Sequence, residues 1–187
     1  MKVIVGGILG GAVLFLWGGL SHEVLPLGVV GLRSMPAAQE GAVVAGMRGA
    51  MNERALYFFP GMDITRKLTA DEEQAWKAKY EAGPAGLVVF NPHPGSVLGA
   101  RQLLTELGAD ILAALVAGFL LLQVPASLGY LPRALLTMML GLLMWIDIDI
   151  SYWNWYGFPT SYMLAQLLDH TVGWFLAGLV LARFCRR

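Results

Sequence analysis

Four long apolar runs, Val3–Leu25, Ile111–Val124, Leu131–Ile146 and Ser161–Phe184, alternate with stretches where charge, Pro and Asn return. A bilayer core about 30 Å thick needs about 20 helical residues, so the first and fourth runs can cross it unaided. The second run reaches that length if its helix starts near Leu103, which brings Glu106 and Asp110 to its mouth. The third does so if it continues through Asp147 and Asp149. The pattern therefore predicts an α-helical integral membrane protein with four transmembrane helices. Helix 1 lies within residues 1–27, helices 2–4 lie within 103–187, and an aromatic outer loop is expected at 151–160.

Between the first two runs the pattern changes, and residues 28–102 read as a small α+β extracytoplasmic domain. Pro36 suits the first turn of a helix that carries Val43, Val44, Met47 and Met51 on one face at helical spacing. Thr69 with Glu72 forms a capping box for a second helix ending at Gly83–Pro84. Leu56–Phe59 and Leu87–Phe90 are short aromatic or β-branched runs bounded by Pro, Gly and Asn, the signature of strands. An α-β-α-β unit of about 65 residues is near the lower limit for a self-sufficient core, so it is expected to lean on the membrane or a partner.

Composition agrees with lipid as solvent. Of 187 residues, 57% are hydrophobic and 14% charged, against roughly a quarter charged in soluble domains. Thirteen basic and thirteen acidic residues cancel, which leaves no positive excess for nucleic acid. Cys185 is the only cysteine, so an intrachain disulfide is impossible. The bases nearest the span ends are Lys2, Arg133 and the Arg183, Arg186, Arg187 group. The positive-inside rule then puts both termini and the second-to-third connection in the cytoplasm, with residues 28–102 outside. Lys2 and the following apolar run also fit a signal peptide ending near Gly18–Gly19–Leu20–Ser21. The length of the run and Trp17 favour a retained helix.

Polar residues at membrane depth are the candidates for chemistry. Asp169–His170 begins about nine residues into the last span, roughly 13–15 Å from its outer end at 1.5 Å per residue. An acid there implies function by default, and no Lys or Arg is expected inside a span to neutralise it. Gln166 lies on the same broad face. At the outer rim, His22 and Glu23 of span one are expected near Asp110 of span two and Asp147 or Asp149 of span three. Carboxylates and imidazole together suit a proton or cation path, or a metal. His93, in the turn Asn91–Pro92–His93–Pro94–Gly95–Ser96, is a weaker metal or anion candidate beside its plainer reading as a rigid turn with Ser96 as a helix N-cap. Bis-histidine haem is disfavoured because His22 and His170 stand at different depths. Neither a Cys-x-x-Cys-His, nor a Gly-rich nucleotide loop after a strand, nor a Gly-x-Ser-x-Gly occurs, which removes the corresponding enzyme classes.

Gly6, Gly7, Gly10 and Gly11 give the first span a smooth face for close helix approach, toward either span four or another protein. Tyr152, Trp153, Trp155, Tyr156, Phe158 and Tyr162 read as an interfacial aromatic belt.

The segments Phe15–Leu16–Trp17–Gly18–Gly19–Leu20–Ser21–His22, Tyr57–Phe58–Phe59–Pro60, Trp153–Asn154–Trp155–Tyr156–Gly157–Phe158 and Gly173–Trp174–Phe175–Leu176–Ala177–Gly178 resemble those of a group of uncharacterised bacterial four-span inner-membrane proteins with no established activity. The resemblance implies a bacterial inner-membrane location and carries over no cofactor or site residue. The expectation is a non-catalytic accessory or assembly subunit of a larger energy-transducing or transport complex. Its partners are lipid and other membrane subunits. The alternatives are a proton or cation path through Asp169 and His170, and a metal-dependent membrane enzyme using His22 and the rim carboxylates.

Overall fold

The computed structural model describes residues 1–186 and divides into two units, Met1–Leu32 with Leu98–Arg187, and Arg33–Val97. In chain order the elements are α1 (Lys2–Gly19), α2 (Ala37–Ala50), β1 (Ala55–Phe59), α3 (Ala70–Ala82), β2 (Gly86–Phe90), α4 (Ala100–Leu121), α5 (Tyr130–Met144), α6 (Ile150–Tyr156) and α7 (Thr160–Phe184). Four helical stretches are long and apolar enough to cross a membrane: Lys2–Val24, Ala100–Leu121, Tyr130–Tyr156 and Thr160–Phe184. A multi-pass membrane protein follows from their number, length and composition.

In the first unit α1 packs against α4 and α7, and α5 packs against α7. Glycine sets how closely. A Cβ on Gly6 would sit 2.9 Å from Cβ of Phe184, and one on Gly10 would sit 3.2 Å from Cγ of Leu181, both on α7. A Cβ on Gly7 would strike Leu115, and one on Gly11 would strike the backbone of Ile111, both on α4. The two glycine pairs thus serve two neighbours within the chain. Small residues let helix backbones approach where lipid supplies no hydrophobic drive to association.

Two spans contain one turn of wider, π-type winding. The Leu25 amide reaches back five residues to the Leu20 carbonyl, and the Ile150 amide reaches back five to Trp145. The second of these turns, Trp145–Asp149, joins α5 to α6 without breaking the rod, so the third span runs 27 residues, to Tyr156. The expected aromatic loop at 151–160 is therefore mostly helix. The chain turns only at Gly157, whose φ of 70° ends α6, before Pro159 caps α7. Ser96 is likewise no cap, because α4 starts after Gly99.

Among the described residues Arg133 is the largest fully buried side chain, at 0% exposure. It lies inside α5, contrary to the expectation that no base stands within a span. Its Nη1 donates to the carbonyls of Leu121 (3.0 Å) and Cys185 (3.2 Å), Nη2 to Pro125 (2.7 Å) and Nε to Leu128 (3.0 Å). The last carbonyls of a helix lack intrahelical partners and carry partial negative charge. One guanidinium therefore satisfies the ends of α4 and α7 and the loop between α4 and α5. Burying a cation is tolerated only when its donors are met in this way. Arg133 is thus a structural cap and not a base facing lipid headgroups.

In the second unit, the strands pair antiparallel with Leu56 opposite Val89 and Phe58 opposite Leu87. Thr69 and Glu72 close a full capping box on α3, and Arg66 grips both oxygens of Glu72 at 2.6 and 2.8 Å. That grip and the Thr69 amide lower the carboxyl of Glu72 to about 2. Phe58 stacks on Tyr80 and leans on Trp76, whose indole N–H donates to the Pro60 carbonyl at 2.9 Å. No residue of this unit is buried. Leu56 and Val89, side by side on one face of the sheet, are 65% and 77% exposed. A two-stranded sheet is marginal by itself, and Trp76 and Tyr80 of α3 meet this face at Phe58.

Candidate functional site

The polar residues of the spans gather where the π-type turn of the third span faces α7. His170 Nε2 lies 3.1 Å from Asp149 Oδ2, with the two side chains 26% and 7% exposed. Asp149 was expected at the rim. Because the third span continues to Tyr156, Asp149 stands seven residues inside its end, roughly 10 Å at 1.5 Å per residue. The wide turn also settles how Asp147 and Asp149 divide. Asp149 is buried against α7, while Asp147 is exposed and offers only its backbone carbonyl, which accepts from Ser151 at 2.7 Å.

Asp169 and His170, adjacent in sequence, do different things. His170 turns to Asp149. Asp169 has one carboxylate oxygen, Oδ1, enclosed without a hydrogen-bond partner, while its backbone carbonyl accepts from the Trp17 indole at 3.0 Å. Gln166 shares a side-chain hydrogen bond with Tyr162, whose hydroxyl lies within electrostatic reach of both Asp149 and Asp169. Two carboxylates, an imidazole, an amide and a phenol therefore share one region of the bundle.

Close backbone approach holds this region together. A Cβ on Gly141 would strike the His170 carbonyl and sit 2.8 Å from Cδ1 of Trp174, and one on Gly173 would sit 2.7 Å from Cδ1 of Trp17. The Trp145 indole donates to the Met163 carbonyl at 2.8 Å, a second tie between the third and fourth spans. Trp145 and Gly141 escaped the reading of the sequence, which named Trp17 but not its acceptor. A tryptophan inside an apolar run carries one N–H that must find an acceptor, and that was the available signal.

The expected rim cluster does not assemble. His22 is exposed, with Nδ1 3.1 Å from the Gly18 carbonyl and 2.9 Å from Ser21 Oγ. Glu23 is exposed, and Asp110 is half-buried in α4. None of these three meets Asp147 or Asp149 in an ion pair or side-chain hydrogen bond. His93 lies in the other unit, exposed, where its amide donates to Asn91 Oδ1 at 3.2 Å in a tight turn. Among the described residues no three His, Cys, Asp or Glu side chains stand close enough to hold a metal ion.

No family model, curated protein or solved structure matches the chain. The functional reading rests on the residues themselves.

Proposed function

We propose that this protein is a non-catalytic accessory or assembly subunit of a larger bacterial inner-membrane complex, of energy-transducing or transport type. In this reading both termini are cytoplasmic and residues 28–102 are periplasmic, as the placement of Lys2, Arg183 and Arg186 favours. The observation that carries it is the unfinished surface of the Arg33–Val97 unit. That unit has well-made local structure, including a full capping box and a bidentate Arg66–Glu72 pair, yet buries no residue and leaves Leu56 and Val89 open. A segment with precise local structure and no closed core is suited to completion by a partner. The glycine face of α1 no longer supports this reading, since α4 and α7 occupy it.

The test is extraction from the native membrane in mild detergent, with mass spectrometry of what accompanies the protein. The reading requires a partner at fixed stoichiometry that the double variant Leu56→Glu/Val89→Glu loses while remaining in the membrane. A lone monodisperse monomer from the wild type would end it.

A second reading is favoured by one observation, the Asp149–His170 pair beside the enclosed Oδ1 of Asp169. Ionisable groups at membrane depth mark proton and cation paths. In this reading Asp149, His170 and Asp169 pass a proton or cation between the third and fourth spans. Proton flux in proteoliposomes that is abolished by Asp169→Asn at unchanged protein level supports it, and wild-type flux in that variant removes it.

A further inference from the structure

The end of the bundle away from Asp149 carries charge of one sign. Residues 1–22, 111–146 and 170–187 contain no Asp or Glu, while Lys2, Arg133, Arg183 and Arg186 all fall within them. Arg133 is consumed as a helix cap. Arg183, in the last turn of α7, is exposed and enters no ion pair among the described residues.

Arg183 also lines an open groove of about 510 Å³, walled by Leu9, Val13 and Leu16 of α1 and by Leu179 of α7, with Tyr130 beside Arg183 near the helix termini. The Tyr130 hydroxyl is already committed to the Leu179 carbonyl at 2.7 Å. The guanidinium is therefore the free polar group at the mouth of an apolar slot. Leu9 to Leu16 covers roughly 10 Å of helix, well short of the ~30 Å hydrocarbon core. A partner helix lying along the whole span would need a longer seam. One acyl chain hanging from a headgroup at the level of Arg183 matches both the extent and the polarity.

We propose that this groove holds one anionic phospholipid, its phosphate on Arg183 and the upper part of an acyl chain against Leu9, Val13 and Leu16. Guanidinium groups bind phosphate through paired N–H donors, and basic pockets between transmembrane helices select acidic headgroups. The site is independent of the subunit reading and of the Asp149–His170 pair.

Native mass spectrometry of the full chain in mild detergent, titrated with phosphatidylglycerol or phosphatidylcholine, tests the site. The expected result is one phosphatidylglycerol per chain, retained about tenfold better than phosphatidylcholine, a difference on the order of one charge-assisted hydrogen bond. Arg183→Gln removes that preference. Arg186→Gln, altering a base outside the groove lining, keeps it. Val13→Trp fills the slot and releases the lipid with every charge intact. Equal retention of the two lipids by the wild type overturns the site, as does an Arg183→Gln variant that still selects phosphatidylglycerol. Equal losses in the Arg183 and Arg186 variants would mean general surface attraction, and would overturn it as well.

Discussion

His170 Nε2 and Asp149 Oδ2 stand 3.1 Å apart across the third and fourth spans, although 21 residues separate them. The pair exists because α7 and the π-type turn of the third span lie side by side, held by Gly141 against the His170 carbonyl. Either partner alone is a buried polar group without its complement. His170→Leu is expected to destabilise the protein by about 1–3 kcal/mol, the usual cost of a buried group left unpaired. The double variant Asp149→Leu/His170→Leu should recover much of that loss. Thermal unfolding in detergent of both singles and the double, read as a cycle, decides the matter: additive losses would mean the two side chains do not depend on one another.

Arg133 offers a sharper stability test. Replacement by Met takes a donor from the carbonyls of Leu121, Pro125, Leu128 and Cys185; Leu121 and Pro125 keep the amides of Val124 and Leu128, while Leu128 and Cys185 lose their partner. At ~1–3 kcal/mol for each group left unpaired, a loss of about 2 kcal/mol or more is expected, offset in part by water at the loop. Arg133→Lys keeps the charge but cannot reach four acceptors from one ammonium, so it should fall between wild type and Met. A melting temperature for Arg133→Lys equal to wild type would contradict the capping role.

The glycines of α1 divide into two classes that substitution should separate. Gly11→Val drives a side chain into the Ile111 backbone, an overpacking expected to cost about 1–3 kcal/mol or more. Gly19 has nothing within 4 Å of an added Cβ. Gly19→Ala is expected to be neutral or to stabilise by about 0.5–1 kcal/mol, because glycine inside a helix carries an entropic penalty. The measurement is the detergent-resistant folded fraction against temperature.

In the Arg33–Val97 unit, acid should loosen α3. The Glu72 carboxyl titrates at about 2, below its ordinary 4.5, chiefly because Arg66 hydrogen-bonds its ionised form. A depressed carboxylate contributes stability that is fully present above pH 4.5 and fades as the pH falls toward 2. Amide exchange in the first turn of α3 should therefore accelerate across that window, beyond its intrinsic pH dependence. Glu72→Gln should flatten the excess, and high salt should reduce it because the pair is exposed. Thr69→Ala, which removes the other half of the box, is expected to cost about 1 kcal/mol of local stability at neutral pH, and less in acid, because its hydroxyl also donates to the ionised Glu72 carboxylate.

What the sequence showed and hid divides along physical lines. The four spans were legible because length and apolarity are local properties, and so was the Thr69–Glu72 box, where both partners are three residues apart. The strand pair was legible in its runs, and only its register awaited the structure. The Asp149–His170 pairing was not legible, because it depends on how far the third span continues, and a π-type turn erases the boundary that Asp147 and Asp149 had suggested. Arg133 was hidden by the same habit of reading charge as a span end. A base near a boundary looks like a headgroup contact until the carbonyls around it are known, and those come from α4 and α7, far away in sequence.

The cap at Arg133 has a consequence for how the chain is made. Three of its four acceptors, Leu121, Pro125 and Leu128, are synthesised before the guanidinium itself, but the Cys185 carbonyl arrives only with the close of the final helix. Until then the arginine sits in a half-built socket, and α1 lacks the surface that receives Gly6 and Gly10. The fourth span is therefore what closes the bundle: without it the cation site is unfinished, and the first helix is held only by α4, through Gly7 and Gly11.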